Sequence, residues 1–413
     1  MHYLDCLVHL KAKGEELLDV ELGLDRMHSA LDQLDNCQMA VPTVLVAGTN
    51  GKGSTARCLA SICQQAGLRV GLFTSPHLVR IRERMAISGR LVDRHSFARH
   101  YTRAVEAAGR ARVELTFFET LTAAAFSLFS NRQVDLAVLE VGLGGRLDAT
   151  NVTEPLMSIL TPISYDHQLW LGSDLSTIAK EKLGIVRPGR PVVSASQLEE
   201  VEETVRLYCA RTGAPLTSVA SDIADEQSNS AGRTLFSYKG LRFSPGMRGR
   251  SQVVNASVAI ESALGLRSLF PEIDDASLQG GIRRAFSRGV LHRIPLNPPV
   301  LLDGGHNPAA AAHLAAYVES HTAPPRRLLF GVMQDKDAAG VLEPLIPLFD
   351  RIHLTAVDSP RAADPNDLKK ICPSGIVFSD PLEAYRSLRA GEGLVVVAGS
   401  FYLAGLVAKE EGL

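Results

Sequence analysis

The chain has 413 residues, of which 46% are hydrophobic and 21% are charged. Single hydrophobic cores stop growing at about 250 to 300 residues, so this length predicts two domains. The formal net charge of −2 gives no electrostatic reason to bind nucleic acid. No segment approaches the ~20 consecutive apolar residues that span a bilayer. We therefore expect a soluble, cytoplasmic protein with neither a nucleic-acid nor a membrane partner.

The first forty residues carry a helical pattern. Apolar side chains recur at intervals of three and four, which predicts one apolar helix face packed on the domain that follows. This pattern is formed by Leu17, Leu18, Leu22, Leu24, Met27, Leu31 and Leu34.

The stretch TVLVAGTNGKGST, residues 43–55, predicts a nucleotide-binding loop between a strand and a helix. Gly48 and Gly51 permit a tight turn that directs backbone N–H groups towards an anion at the start of the helix. The spacing GxxGKGS is a shortened variant, because Val46 stands where such loops usually have their first glycine.

Side chains of the same loop suit phosphate and metal. Lys52 would reach the outer phosphates, and the hydroxyl of Ser54 or Thr55 lies where these loops hold Mg²⁺. The residues that we predict to bind the nucleotide are Gly48, Thr49, Asn50, Gly51, Lys52, Gly53, Ser54 and Thr55.

A second short strand, RVGLFT, ends in the loop SPHL and the charged run RIRERM. Loops at strand ends are where open α/β sheets place their ligands. The run containing Arg80, Arg82, Glu83 and Arg84 fits a solvated helix face as well as a substrate contact. His77 is a somewhat better candidate, because it follows a proline at the end of a strand.

The segment DLAVLEVG predicts a strand that is buried on both faces and ends in Glu140. A buried acid must be neutralised, hydrogen-bonded or paired with a cation. Glu140 is therefore predicted to be a Mg²⁺ ligand, with an ion pair as the alternative. The next segment, GLGGRLDATN, is polar and glycine-rich and could fold over a ligand.

Another strand, LMSILTPI, leads to Asp166 and His167. Adjacent strand ends would then bring His167 near Glu140, which makes this histidine a candidate metal ligand. A structural, hydrogen-bonded histidine is the alternative.

The segment LNPP, residues 296–299, predicts a domain boundary, which divides the chain into residues 1–295 and 296–413. A second alternation of strands and helices follows it, and its first strand ends in DGGHNP. Five strands are predicted there, at Val300–Leu302, Arg327–Gly331, Arg351–Thr355, Gly375–Phe378 and Leu394–Ala398.

Eight motifs together resemble a known family: GTNGKGS, TSPHL, EVGLGGRLDATN, DH, EKLGI, DGGHNP, GVMQDKD and SPRA. In this order and over nearly the whole chain they are similar to folylpolyglutamate synthase, often bifunctional with dihydrofolate synthase, of the Mur ligase superfamily. The resemblance implies an α/β protein. Its N-terminal P-loop domain would have a mainly parallel sheet flanked by helices, and its smaller C-terminal domain would be Rossmann-like.

The resemblance also implies an activity. A folate or pteroate carboxylate would attack the γ-phosphate of ATP, and the amino group of L-glutamate would displace phosphate from the resulting acyl phosphate. Phosphoryl transfer to a carboxylate requires positioning and charge neutralisation more than a protein nucleophile. The implied cofactors are ATP and Mg²⁺ at two sites, and the implied oligomeric state is a monomer.

The resemblance implies functional roles for further residues. Ser54, Glu140 and His167 would hold the metals, and Lys182, which the sequence alone would leave as a surface lysine, would be carbamylated. Catalysis would involve Lys52, Lys182 and His306, and nucleotide contacts would come from Asn255 and Asp303. Ser75 and His306 would contact glutamate, and His77, Phe118 and Asp148 the pterin or folate.

Two positions depart from the family's pattern. Its HQxxNA motif is SQVVNA here, with Ser251 for histidine, and its PGR motif is RGV, with Val290 where an arginine normally meets ATP phosphate. Valine cannot replace a planar, charged donor. Either Arg288 or Arg293 substitutes, or ATP handling is weakened. A sister Mur-type ligase with another acceptor, and a nucleotide-binding protein without catalysis, are the alternative functions.

Overall fold

The computed structural model describes residues 1–14, 22–220, 227–228, 232–357 and 359–413. Leu17 and Leu18 of the predicted N-terminal helix lie outside these ranges. The described residues of this predicted helical region form the elements Tyr3–Ala12, Asp25–Asp32 and a 3-10 turn at Cys37–Ala40.

A mostly parallel sheet of eight strands forms the larger, N-terminal part of the described chain, in the order β4-β3-β2-β5-β1-β6-β7-β8. Only β3 and β4 run antiparallel to their neighbours in this sheet. The strands are β1 (Thr43–Ala47), β2 (Val70–Phe73), β3 (Met85–Ile87), β4 (Arg90–Leu91), β5 (Leu136–Glu140), β6 (Met157–Leu160), β7 (Val192–Ala195) and β8 (Leu216–Val219).

Helices cover both faces of this sheet, which explains the continuous apolar runs of its central strands. In β1, Leu45 and Ala47 pack on one hydrophobic cluster, while Val44 and Val46 pack on the other. The helices of this part are α1 (Tyr3–Ala12), α2 (Asp25–Asp32), α3 (Lys52–Gln65), α4 (Arg94–Ala111), α5 (Phe117–Asn131), α6 (Gln168–Leu171), α7 (Leu175–Leu183), α8 (Glu199–Thr212), α9 (Ser251–Leu266) and α10 (Asp275–Arg284).

A small antiparallel sheet, β11-β10-β9, lies between β8 and α9 in the chain. Its strands are β9 (Gln227–Ser228), β10 (Thr234–Tyr238) and β11 (Leu241–Phe243), and the last two form an antiparallel hairpin.

A second α/β sheet of six strands follows, in the order β12-β13-β17-β14-β15-β16, and it is parallel except at β12. Its strands are β12 (His292–Ile294), β13 (Val300–Leu302), β14 (Arg326–Phe330), β15 (Arg351–Thr355), β16 (Ile376–Phe378) and β17 (Leu394–Ala398). Its helices are α11 (Pro308–His321), α12 (Ala338–Leu342), α13 (Pro365–Ile371), α14 (Pro381–Arg389) and α15 (Phe401–Glu410).

The fold class expected from the sequence is confirmed, and all five predicted C-terminal strands are present within one residue at each end. The division between residues 295 and 296 remains a proposal. Because β12 pairs with β13 in the second sheet, we propose that this domain begins slightly earlier, before His292. No helix in the described ranges is both long and apolar enough to cross a bilayer.

Candidate active site

The phosphate-type loop joins β1 to α3, as the sequence predicts, and its glycines are required by close contacts. Gly48 has a φ of 147° and Gly51 a φ of 87°, in the region that favours glycine. A Cβ on Gly48 would lie 1.9 Å from Thr161 Oγ1, and one on Gly51 would lie 2.2 Å from Asn255 Oδ1. Asn255, in the second turn of α9, therefore contacts the loop directly.

Two lysine ammonium groups lie against this loop. Lys52 Nζ is 3.2 Å from both Gly48 O and Thr49 O, and Lys182 Nζ donates to Gly48 O at 2.9 Å. Lys182 is buried, so the alternative of a surface lysine is wrong. Burial, with a smaller contribution from the charge of Lys52, lowers the pKa of Lys182 to about 7. A large share of Lys182 is therefore neutral at physiological pH.

Glu140 ends β5 next to the loop, where its carboxylate accepts a hydrogen bond from Ser75 N at 3.0 Å. A Cβ on Gly53 would lie 3.0 Å from Glu140 Oε2, so the carboxylate touches the first turn of α3. Burial raises the pKa of Glu140, and the charges of Lys52 and Arg57 oppose that shift. A further cation at this carboxylate would stabilise its ionised form.

The hydroxyl groups of the first turn of α3 are buried. Ser54 is 5% exposed and Thr55 is fully buried. Within the described part of the chain, Thr55 Oγ1 has no hydrogen-bond partner. A buried hydroxyl without a partner is costly, and a ligand or ion at the loop would relieve that cost.

Asp166 lies at the junction of the two domains, after β6. Its Oδ1 is 2.6 Å from Lys336 Nζ, and its Oδ2 accepts from Asn307 Nδ2 at 3.1 Å. His167 Nε2 and His306 Nε2 lie 3.8 and 3.6 Å from the same carboxylate. Burial lowers the pKa of His167 to about 3, so its ring is neutral.

The loop is also bonded directly to the second domain. Asn50 Nδ2 donates to Asn307 Oδ1 at 3.2 Å, and Asn307 Nδ2 donates to Asn50 Oδ1 at 3.0 Å. Asn307 also caps α11, because its Oδ1 accepts from Ala310 N. The phosphate-type loop and the start of α11 are therefore joined directly by hydrogen bonds.

One cleft with about 1440 Å³ of empty space, counted to its open mouth, is lined by Lys52, Lys182, Asp166, His167, His306 and Lys336. Phe118 is placed in it by α5, whose first turn is fixed by a capping box between Thr116 and Glu119. Of the predicted site residues, the cleft is lined by Gly48, Thr49, Lys52, Ser75, Phe118, Asp148, His167, Lys182 and His306.

Asp148 lines the cleft, but its oxygens bond the surrounding loop. Oδ2 accepts from the backbone N of Gly142 and Leu143, and Oδ1 accepts from the N and hydroxyl of Thr150. Burial raises the pKa of Asp148 in spite of these bonds. Its carboxylate thus shapes the glycine-rich loop that the sequence expected to fold over a ligand.

The other predicted residues do not line this cleft: Asn50, Gly51, Gly53, Ser54, Thr55, Glu140 and Asn255 lie in or against the phosphate-type loop, whereas His77 and Asp303 are directed elsewhere. His77 faces a neighbouring cavity between α1 and α15, and Arg84 Nε donates to its Nδ1 at 3.1 Å. Asp303 is buried beneath the start of the DGGHNP loop, where it accepts from Leu291 N and Gly305 N. Burial raises the pKa of Asp303 to about 6.

Some residues of the cleft were not singled out from the sequence. Lys336 follows β14 and faces Asp166, and Arg361 pairs with Asp335 at 2.6 Å. The sequence did contain a signal for Lys336 and Arg361, because their segments, QDKD and SPRA, follow strands of the second sheet. Charged groups at the carboxyl ends of parallel strands commonly face a ligand cleft.

Family models match most of the chain. Residues 46–263 match the Mur ligase middle domain, and residues 290–401 match the glutamate ligase domain of Mur ligases. With the loop and the cleft between two α/β sheets, these matches define a Mur-type, ATP-dependent ligase.

The similar proteins have narrower names. The dihydrofolate synthase/folylpolyglutamate synthase of Bacillus subtilis is 33% identical over 410 residues, covering 94% of this chain and 95% of that protein. A structure of Escherichia coli FolC in complex with DHPP and ADP is 30% identical with a TM-score of 0.87, covering 100% and 98% of the two chains. The Yersinia pestis bifunctional enzyme, complexed with AMPPNP and a Mn ion, is 28% identical with a TM-score of 0.83 and covers 100% and 98%. The chain belongs to the dihydrofolate synthase/folylpolyglutamate synthase family.

Proposed function

We propose that this protein joins L-glutamate to the carboxylate of a dihydropteroate or folate, with ATP converted to ADP and phosphate. The acceptor carboxylate attacks the γ-phosphate to give an acyl phosphate, and the glutamate amine displaces phosphate from it. We also propose that the enzyme acts as a monomer in the cytoplasm.

The observation that carries this proposal is the convergence of Lys52, Lys182 and Glu140 on one loop at the base of the cleft. Lys52 would bind the outer phosphates and offset the charge that moves onto the acceptor carboxylate. The walls of the cleft would exclude water from the acyl phosphate. A binding protein without catalysis has no use for a second, buried lysine at this loop.

Two Mg²⁺ ions would be held by the donors at this site. Ser54 and Glu140 would hold the first, since the buried hydroxyl and the buried carboxylate supply the oxygens that Mg²⁺ prefers. Glu140 and His167 would hold the second. When bound, these ions neutralise charge on the phosphates.

Lys182 would act as a carbamate. Its neutral amine adds to CO₂ with loss of one proton, which replaces a cation by an anion. Its lowered pKa supplies that neutral amine near pH 7. The carbamate would then orient the second metal site from beneath Gly48.

The remaining predicted residues divide between the two organic substrates. Ser75 and His306 would contact L-glutamate from opposite sides of the cleft, and Phe118 would pack on the pterin ring. Asp148 would shape the pterin site through its bonded loop, and His77 would support the adjoining loop. Asn255 would contribute to the nucleotide site through its contact with Gly51, and Asp303 through its hydrogen bonds to Leu291 N and Gly305 N.

Phosphate release from ATP tests the function. We expect release by the purified protein with Mg²⁺ to require both L-glutamate and one pteroyl acceptor, either dihydropteroate or tetrahydrofolate. The controls omit the acceptor or replace L-glutamate with D-glutamate. Nucleotide binding without release under every combination would instead favour a binding protein, and release with another amino acid would favour a sister ligase.

Arg288 is our candidate for the missing phosphate arginine. Gly289 O accepts a hydrogen bond from Gly304 N at 2.7 Å, so Arg288 sits beside the DGGHNP loop. Its Nη1 is 3.9 Å from Glu83 Oε1, and the side chain is 40% exposed and able to turn. Arg293 lies on β12 with an exposed side chain, and it is the matched control.

Replacing Arg288 with alanine is expected to raise the KM for ATP about 10-fold, the cost of one charge-assisted hydrogen bond of ~1.5 kcal/mol. Steady-state kinetics should show Arg293→Ala within about twofold of the parent. Adding Val290→Arg to Arg288→Ala should restore the KM. An unchanged KM in Arg288→Ala would exclude this arginine from phosphate binding.

A further inference from the structure

Asp166, His167 and His306 form a compact cluster at the domain junction. One ligand atom from each residue lies within 4.8 Å of the others. The first two residues follow β6 of the first sheet, and His306 follows β13 of the second. The cluster exists only because the two domains meet.

The hydrogen bonding of His306 fixes which ring nitrogen faces Asp166. His306 Nδ1 lies 3.0 Å from Gly304 O, and a carbonyl oxygen can only accept, so Nδ1 carries a proton. In the neutral ring, Nε2 is then the nitrogen that is free to bind a cation, and it lies 3.6 Å from Asp166 Oδ2. Metal-binding histidines commonly donate their other N–H to a backbone carbonyl in this way.

The separation of His306 Nε2 from Asp166 Oδ2, 3.6 Å, exceeds the usual hydrogen-bond range and suits two ligands on one ion. His167 Nε2 lies 3.8 Å from the other oxygen of this carboxylate, Oδ1. Ligand atoms at ~2.1 Å from a tetrahedral ion are about 3.4 Å apart. Small side-chain movements would therefore complete the coordination.

The hydrogen bonds to the Asp166 carboxylate leave one of its oxygens, Oδ2, able to bind an ion. Oδ1 accepts from Lys336 Nζ and from His167 N, which uses both of its lone pairs. Oδ2 accepts from Asn307 Nδ2, which leaves one lone pair on the oxygen nearer His306. An ion can thus bind Oδ2 while Lys336 keeps its ion pair.

We propose that Asp166, His167 and His306 form a site for a borderline divalent cation such as Zn²⁺ that bridges the two domains. Two imidazole nitrogens and one carboxylate oxygen are a Zn²⁺-type ligand set, whereas Mg²⁺ prefers oxygen ligands. The site shares His167 with the second proposed Mg²⁺ site but takes Asp166 and His306 in place of Glu140, so this ion and the second Mg²⁺ exclude each other. Because His306 is also a proposed glutamate contact, a bound ion inhibits ligation.

The test is a Co²⁺ titration of the intact protein without nucleotide, followed by visible absorption and displaced by Zn²⁺. Without phosphates the loop sites are incomplete, so success or failure here is independent of the proposed ligase reaction. We expect His306→Ala to weaken Co²⁺ binding by at least about 10-fold. Glu140→Gln, which alters only the loop sites, should leave the Co²⁺ affinity unchanged.

A third variant, at Lys336, tests whether the ion binds next to Asp166. Lys336→Met removes a positive charge that lies 2.6 Å from Asp166, so it should tighten Co²⁺ binding. Circular dichroism would establish that each variant is folded. Three results would each overturn the proposal. Co²⁺ binding could be lost in Glu140→Gln but kept in His306→Ala, or the Co²⁺ affinity could be unchanged by Lys336→Met. The parent protein could also bind no Co²⁺ below about 1 mM.

Discussion

Alanine in place of Lys52 is expected to lower kcat for glutamate-dependent phosphate release by about 10²- to 10³-fold, as for other removed transition-state donors. The ammonium lies 3.2 Å from two loop carbonyl oxygens, where bound phosphate would draw it outwards. Because it would act on charge that develops during transfer, kcat should fall more than KM rises.

Lys180→Ala is the matched control for this variant, because Lys180 is exposed on α7. It should retain the parent's kcat, and both variants should keep the parent's melting temperature within a few degrees. Activity left untouched in Lys52→Ala would disprove the assignment of the loop.

The second large effect is expected at Lys182. If its carbamate is needed, Lys182→Ala should lose about 10²-fold in kcat and should recover part of it in the presence of acetate, which supplies a carboxylate to the vacated space. The parent enzyme should lose activity in CO₂-depleted buffer and regain it on addition of bicarbonate.

The pH dependence of the recovery of activity with bicarbonate follows from the protonation of the Lys182 amine. The pKa of Lys182 is lowered to about 7, so the reactive neutral form predominates above pH 7 and becomes scarce as the pH falls below it. The rate of recovery with bicarbonate should therefore decrease by about 10-fold per pH unit below pH 6. A CO₂-independent parent enzyme, with Lys182→Arg fully active, would rule out the carbamate.

Local features of the sequence predicted the fold and the loop well. The run from Thr43 to Thr55 contains a buried strand, three glycines and a lysine, and each has a structural consequence within a few residues. Elements built on short-range patterns were confirmed, such as the strands of the second sheet. The helix after the loop, α3, begins at Lys52, since the turn at Gly51 leads directly into it.

Features that depend on tertiary contacts could not be predicted from the spacing of residues in the sequence. Asp166 and Lys336 are 170 residues apart in the chain, and only the meeting of two sheets pairs them. Glu83 belonged to a run that fits a solvated helix, yet it is buried and accepts backbone hydrogen bonds from Leu78 and Arg80. His77 turns towards a different cavity because Arg84 bonds it there.

The paired amides of Asn50 and Asn307 have a consequence for the behaviour of the enzyme in different salts. Neither side chain carries charge, so dissolved ions do not screen this bond between the domains as they screen exposed ion pairs. The neighbouring contact of Lys336 with Asp166 is ionic, but both of its side chains are nearly buried and are shielded from solvent ions. The two domains should therefore keep the same alignment from dilute buffer to concentrated salt, and salt should affect the capture of the anionic substrates instead.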